Sequence, residues 1–241
     1  MQILNKRIAL LCFLLGAGFV AALTNRLVAQ PVLRSIQFTD DFSSGTLDHW
    51  ELPYPEDWVI RTEGTLHFLH MLRDREPLVP RRPMQFARLK GVNVGSFTFQ
   101  AQVRREKTSL LIVFNYVDSL HFYYTHLSVD PGTKVATHNG IFIVDGGARR
   151  RIAGLDAEAA LPDMNWHKIR VQRDTQPPSV QVFVDAEQSP RFSVYDSTFT
   201  CGQVGIGSFD ETGDFADVRL TSDDAGCQPG AGAVLRPAST P

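Results

Sequence analysis

The stretch Ser96-Phe97-Thr98-Phe99-Gln100-Ala101-Gln102-Val103 decides the fold class. Its aromatic and β-branched side chains suit a pleated strand, and Gly95 punctuates its start. Outward from it the same texture recurs in 110–116, 121–129, 141–144, 166–172, 180–184 and 203–209, each run bounded by Gly, Pro, Asp or Asn. Turn formers separate the runs at Val117-Asp118-Ser119-Leu120, Asp130-Pro131-Gly132-Thr133, Asp145-Gly146-Gly147 and Asp210-Glu211-Thr212-Gly213. Helical periodicity is nearly absent; only Leu155 to Leu161, between Gly154 and Pro162, offers at most two turns. About ten to twelve short strands spaced roughly 8 to 12 residues apart predict an all-β chain, a two-sheet antiparallel β-sandwich or a barrel.

The 241 residues carry 24 Lys or Arg against 26 Asp or Glu, a formal charge of −2. A domain that grips phosphate backbones needs a basic excess, so an electrostatic nucleic-acid binder is excluded. With 43% hydrophobic and 21% charged residues, the chain is neither disordered nor a multi-span membrane protein.

Residues 1–29 read as a signal peptide: Lys6 and Arg7, an apolar run from Ile8 to Leu23, and Leu27-Val28-Ala29 before Gln30-Pro31. The alternative is an uncleaved membrane anchor through residues 8–23, although a span needs about 20 residues. Cys12 lacks the small residues that precede a lipidated cysteine. Residues 30–222 then form the β-sandwich domain, and 223–241, rich in Gly, Ala, Pro and Ser, read as a disordered tail. The expectation is a secreted or periplasmic monomer with no membrane partner once the leader is cut. Loss of Cys12 leaves Cys201 and Cys227 in a compartment where disulfides persist, so a bridge between them is expected.

The opening Phe38-Thr39-Asp40-Asp41-Phe42-Ser43-Ser44-Gly45-Thr46-Leu47-Asp48-His49-Trp50 resembles the first strand of secreted concanavalin A-like (laminin-G-like) jelly rolls. So does the ending, Gly202-Gln203-Val204-Gly205-Ile206-Gly207-Ser208-Phe209 followed by Phe215-Ala216-Asp217-Val218-Arg219-Leu220. Asn165-Trp166-His167-Lys168-Ile169-Arg170-Val171 and Val180-Gln181-Val182-Phe183-Val184-Asp185 are similar to consecutive late strands of such domains. The resemblance implies a jelly roll and a carbohydrate or glycan partner. The superfamily holds lectins, carbohydrate-binding modules, glycoside hydrolases and adhesive domains, so fold alone does not choose among them. Family-16 glycoside hydrolases set their carboxylates on one strand as Glu-x-Asp-x-x-Glu, which is missing here. Asp156-Ala157-Glu158, the closest acidic cluster, falls in the expected helical loop and reads as solvation. No catalytic residue is assigned; likeness to 3-keto-disaccharide hydrolase-type domains keeps a glycoside-acting hydrolase as the alternative, and a structural or adhesive module as the second.

The hairpin from Leu120 to Val144 carries the most informative chemistry. A turn at Pro131-Gly132 would set His126 opposite His138 and Tyr124 opposite Gly140, and the turn at Asp118-Ser119 adds Val113 and Asn115 to the same face. Asn115, Tyr124, His126 and His138, with Asn139 at the margin, form the expected ligand-binding patch, through amide and imidazole hydrogen bonds beside an aromatic ring. The competing reading is that these side chains merely bond one another. Two facing imidazoles lack the third ligand a zinc site needs, and His121 should point to the opposite face. Trp50 and Trp166 are expected in the core and Trp58 exposed in a loop. Arg149-Arg150-Arg151 is expected to guard a sheet edge, with an acidic glycan as the other reading. Gly202-x-x-Gly205-x-Gly207 is no nucleotide loop, because no helix follows it. Pairing of the first and last strands would bring Asp40 or Asp41 near Asp217, where a structural Ca²⁺ would relieve their repulsion; the competing reading leaves these acids to solvent or turns.

Overall fold

A computed structural model describes residues 34–135 and 138–229. The expected leader, Cys12 and the end of the tail lie outside them. Fifteen strands follow in order: β1 (Arg34–Asp40), β2 (Trp50–Glu51), β3 (Trp58–Glu63), β4 (Leu66–Met71), β5 (Gln85–Leu89), β6 (Phe97–Arg105), β7 (Ser109–Asp118), β8 (His121–Ser128), β9 (Gly140–Asp145), β10 (Arg150–Ala153), β11 (His167–Thr175), β12 (Pro178–Val184), β13 (Phe192–Val194), β14 (Gln203–Ser208) and β15 (Gly213–Ala225). They form an eight-stranded sheet, β13-β12-β11-β6-β15-β4-β3 with β1 also on β15, and a seven-stranded sheet, β10-β9-β8-β7-β14-β5-β2. This is the expected all-β, two-sheet antiparallel sandwich.

The period of two explains the core. In β6, Phe99, Ala101 and Val103 point inward while Thr98, Gln100, Gln102 and Arg104 stay half exposed. They meet Leu110, Ile112 and Phe114 of β7, Tyr123 of β8, Ile141 and Ile143 of β9 and Ile206 of β14 across the sandwich. In β14 the strands crowd so closely that a Cβ on Gly207 would lie 2.0 Å from the Gln85 carbonyl, so only glycine fits there.

Several expectations are corrected. Leu155 to Leu161 is a loop, not helix, because its backbone is spoken for: Gly132 N–H donates to the Ala157 carbonyl at 2.8 Å and Asn139 Nδ2 to the Glu158 carbonyl at 2.7 Å. The boundary placed at 222 falls inside β15, which runs to Ala225; Asp224 there accepts the N–H groups of Gly95 and Ser96 at 3.0 and 2.6 Å. Just beyond, Cys201 and Cys227 are joined by a disulfide, as expected. Trp58 is not exposed but sits in the core with Trp50, packed on Phe215. Trp166 is not core: it lies on the outer face of the eight-stranded sheet, against Phe68 and under the Arg104 guanidinium. No helix among the described residues is long and apolar enough to cross a membrane.

Candidate functional site

Strands β7, β8 and β9 are buried on both faces. Outward from the seven-stranded sheet, Phe86, Leu111, Val113, Tyr116, Phe122, Tyr124, Phe142 and Val144 join Phe209 in a second apolar cluster. Aromatic surface of this extent needs cover, and the segment 72–84 between β4 and β5 is tied against it. Near its start Arg75 grips the buried Asp57 at 2.5 Å. Further on, Arg82 Nε donates to the Ser119 carbonyl in the β7–β8 turn at 2.7 Å, and the Arg81 carbonyl accepts the Arg149 N–H from the β9–β10 turn at 2.9 Å. A cleft of about 260 Å³ beside this strap is lined by Tyr54, Arg75, Leu78, Met84 and Phe209 among others.

Polar chemistry gathers at the edge of that cluster. Arg149 Nη1 donates to Tyr124 Oη at 3.0 Å and to His126 Nδ1 at 3.2 Å. Guanidinium has no acceptor, so His126 Nδ1 must accept, and the neutral ring carries its proton on Nε2. The Arg149 guanidinium carbon lies 3.9 Å from the centroid of Phe209, over which Arg81 also sits at 4.8 Å, while the His126 ring lies nearly parallel to Phe209. The rings of His126 and His138 are 5.1 Å apart, and His138 Nδ1 stands 3.5 Å from Asp130 Oδ2. Asp210, next to Phe209, faces Arg81 Nη2 at 3.6 Å.

The charges are tuned unequally. Burial pushes the Asp210 carboxyl above its ordinary value, helped by Glu211 and opposed by Arg81, Arg149 and His138. Asp130 is held below its ordinary value, first by the Lys134 hydrogen bond and further by His138. Tyr124 is pushed upward by burial against the pull of Arg149, so it stays a neutral phenol. Glu211 is committed elsewhere, accepting from the Thr108 N–H at 2.9 Å and also from Ser109. The cluster thus offers a hydrogen-bonding cation, two imidazoles and a carboxyl of raised affinity for protons.

The structure brings three of the five expected patch residues together, Tyr124, His126 and His138. The strand register differs from expectation: His126 pairs with Gly140 and Tyr124 with Phe142, two residues from the predicted partners. The connection is no tight turn at Pro131-Gly132 but a longer loop packed on 154–157. Asn115 is not on the patch; it occupies a bulge with φ 43° and donates Nδ2 to the Val94 carbonyl at 3.1 Å. Asn139 is also engaged by backbone, its Oδ1 accepting from Ala160 N–H at 3.1 Å and Ser128 N–H at 3.3 Å. Sequence reasoning missed Phe209, Asp210 and Arg81 and gave Arg149 an edge role. A signal existed, since Arg149 leaves the β9–β10 turn only one strand away from β8, which carries Tyr124 and His126.

The expected calcium site does not assemble. β1 and β15 do pair, with Asp40 opposite Val218. But Asp40 accepts from Phe42 N–H at 2.7 Å and from Trp50 Nε1 at 2.8 Å, Asp41 accepts from Ser43, and Asp217 pairs with Arg219 at 2.8 Å. The repulsion a cation was to relieve is already met by these donors. Among the described residues no three His, Cys, Asp or Glu side chains gather into a metal set. A wider depression, about 620 Å³ beside Gly154, Leu155 and Phe192, is chemically poorer: its Arg151 and Arg191 are committed to the carbonyls of Gly132 and Ala159.

Comparison with solved structures finds the same fold. The carbohydrate binding module CBM66 from Bacillus subtilis matches with a TM-score of 0.52 at 15% identity, over 72% of this chain and 96% of that one. A provisionally assigned glycosyl hydrolase from Parabacteroides distasonis matches with a TM-score of 0.50 at 13% identity, over 77% of this chain and 99% of its own. Lectin I-B4 from Griffonia simplicifolia gives 0.45 at 11% identity, over 77% of this chain and 98% of that one. The fold is a concanavalin A-like jelly roll. No known family profile and no curated protein matches the sequence.

Proposed function

We propose that the protein is a secreted carbohydrate-binding module, exported by residues 1–29, whose saccharide is held at Arg149, His126, His138 and Asp210 beside Phe209. One observation carries this reading: hydrogen-bonding groups of both kinds converge around an aromatic ring at the edge of an otherwise sealed apolar face. Saccharides present hydroxyls that donate and accept, and a rim of guanidinium, imidazole and carboxyl groups backed by the buried Phe209 ring answers them. The fold's likeness to a carbohydrate binding module supports the same reading. His138 is the test residue, because its side chain is 28% exposed and forms no part of the buried layer. A glycan-array screen followed by titration of His138→Ala should show at least a tenfold loss of affinity, with Tm moved by no more than about 2 °C. Undiminished binding by the variant overturns the assignment.

A second reading, hydrolysis of a glycosidic bond, is favoured by two carboxyls in unlike settings at this rim: Asp130, 3.5 Å from His138, is held ionised first by Lys134, whereas burial pushes Asp210 toward the protonated form. Environments that drive two carboxyls apart are how an acid and a base are set up. Product analysis on any glycan that binds decides between them, turnover favouring this reading and intact ligand the first.

A further inference from the structure

Arg149 spends one nitrogen and keeps two. Nη1 is engaged by Tyr124 and His126, whereas Nε and Nη2 are buried without a hydrogen-bond partner among the described residues. These two nitrogens are the side-on edge of a guanidinium, whose parallel N–H groups match two oxygens of one carboxylate or sulfate. Asp210, whose carboxyl feels the Arg149 charge, is directed instead to Arg81 at 3.6 Å. A buried guanidinium edge left unpaired is unfavourable, so something that brings an oxyanion there is bound strongly.

We infer that the saccharide is acidic, and that its oxyanion, a uronate carboxylate or a sulfate ester, is seated on the Nε and Nη2 edge of Arg149. The inference rests on the carbohydrate reading above. The formal charge of −2 gives the chain no general attraction for polyanions, so recognition must be local. Three features make it so. Tyr124 and His126 pin Nη1 and hence the plane of the fork. Phe209 supports its face. The Arg81–Asp210 pair, long at 3.6 Å and partly exposed on both partners, lies beside the same ring, and its parting admits the anion while leaving Arg81 as a second cation.

The test is calorimetric titration of the purified protein with oligogalacturonate, with its carboxyl-reduced neutral counterpart, and with a sulfated galactan fragment of similar length. Binding to either anionic probe at least 100-fold tighter than to the neutral one is expected, and the stronger of the two says whether carboxylate or sulfate is read. Arg149→Lys keeps the charge but loses the fork, and should lose at least tenfold on the preferred anionic probe. Arg150→Ala, an exposed neighbour outside the cluster, should change nothing. Neutral and anionic probes bound alike overturn the inference and leave the carbohydrate reading standing; no binding to any saccharide overturns both. Should Arg149→Lys fail to fold, the comparison of anionic with neutral probes on the unaltered protein still decides.

Discussion

The two sheets of the sandwich share one core but present opposite outer faces. On the eight-stranded sheet β6 and β11 alternate strictly, burying every second residue and turning Thr98, Gln100, Gln102, Lys168 and Arg170 outward. On the seven-stranded sheet β7, β8 and β9 are buried on both sides, because their outward residues are Phe122, Tyr124, Phe142 and their neighbours. An outward aromatic layer is unstable in water unless something lies over it, and here the strap 72–84 closes in at the β7–β8 turn and beside Phe209 while Arg149 lies over Phe142 and Phe209. Where the cover ends, its Arg81 and the β9–β10 turn's Arg149 meet over Phe209, and Arg149 reaches His126. The candidate site is therefore a consequence of the second burial, while the outer face of the eight-stranded sheet carries a smaller cluster in which Arg104, stacked with Phe68 and Trp166, pairs with the buried Asp214, itself 2.7 Å from His70.

The largest effect that can break this contrast comes from removing an outer ring. Phe122 contacts Phe86 at 5.5 Å and Tyr116 at 5.4 Å, while Phe114 on the inner face stacks on Tyr123 at 5.5 Å, and both are fully buried. If the outer layer is a true second core, Phe122→Ala and Phe114→Ala should each cost about 3 to 5 kcal/mol in urea unfolding. A cost below about 1 kcal/mol for Phe122→Ala alone would return the outer face to ordinary surface.

A smaller effect sharpens the role of the strap. Arg82 donates to the carbonyls of Ser119 and Pro80 at 2.7 and 3.0 Å. Arg82→Ala should cost roughly 1 to 3 kcal/mol, the range for losing hydrogen bonds made by a charged group. Its signature is regional: amide exchange should quicken over 72–84 and around Tyr116, and stay unchanged in β6 and β11. Uniform acceleration across both sheets would mean that the strap is no separate cover.

The sequence carried the plain sheet more openly than the covered one. Alternation and turn residues were enough for the strands, for the sandwich and for the β7–β8 register, where Val113 does face Tyr124. The β8–β9 register failed because counting from Pro131-Gly132 assumes a hairpin, whereas that stretch docks on the 154–157 loop and rejoins the sheet through Asn139 and Gly140, both at positive φ. Trp50 is in the core as expected, whereas Trp166 departs from expectation for a reason the sequence does contain. Trp166 shares its parity with Lys168 and Arg170, while His167, Ile169 and Val171 point inward, so the same alternation sets it outside. What no local pattern shows is which segment covers the outer aromatics, since the strap and the β9–β10 turn converge only through the fold. Arg149 and Asp210 became legible only with that convergence.

The smallest effect concerns Asp210, and its sign discriminates. Its carboxyl is held above the ordinary value by burial, so between that ordinary value near 3.8 and the raised one the folded chain holds more protons than the unfolded chain. Stability must then fall as pH rises through this window, and the penalty is fully present above it. Asp210→Asn removes the charge and with it the penalty, while the lost pair with Arg81 is long, partly exposed and weak. The variant should therefore unfold at slightly higher urea than the parent at pH 7, and the difference should shrink toward zero as the pH approaches 4. A parent more stable than the variant at pH 7 would mean that Asp210 is held by its arginines rather than against its burial. Arg149 would then have a resident carboxylate at hand, and the edge it holds open would need no ligand to complete it.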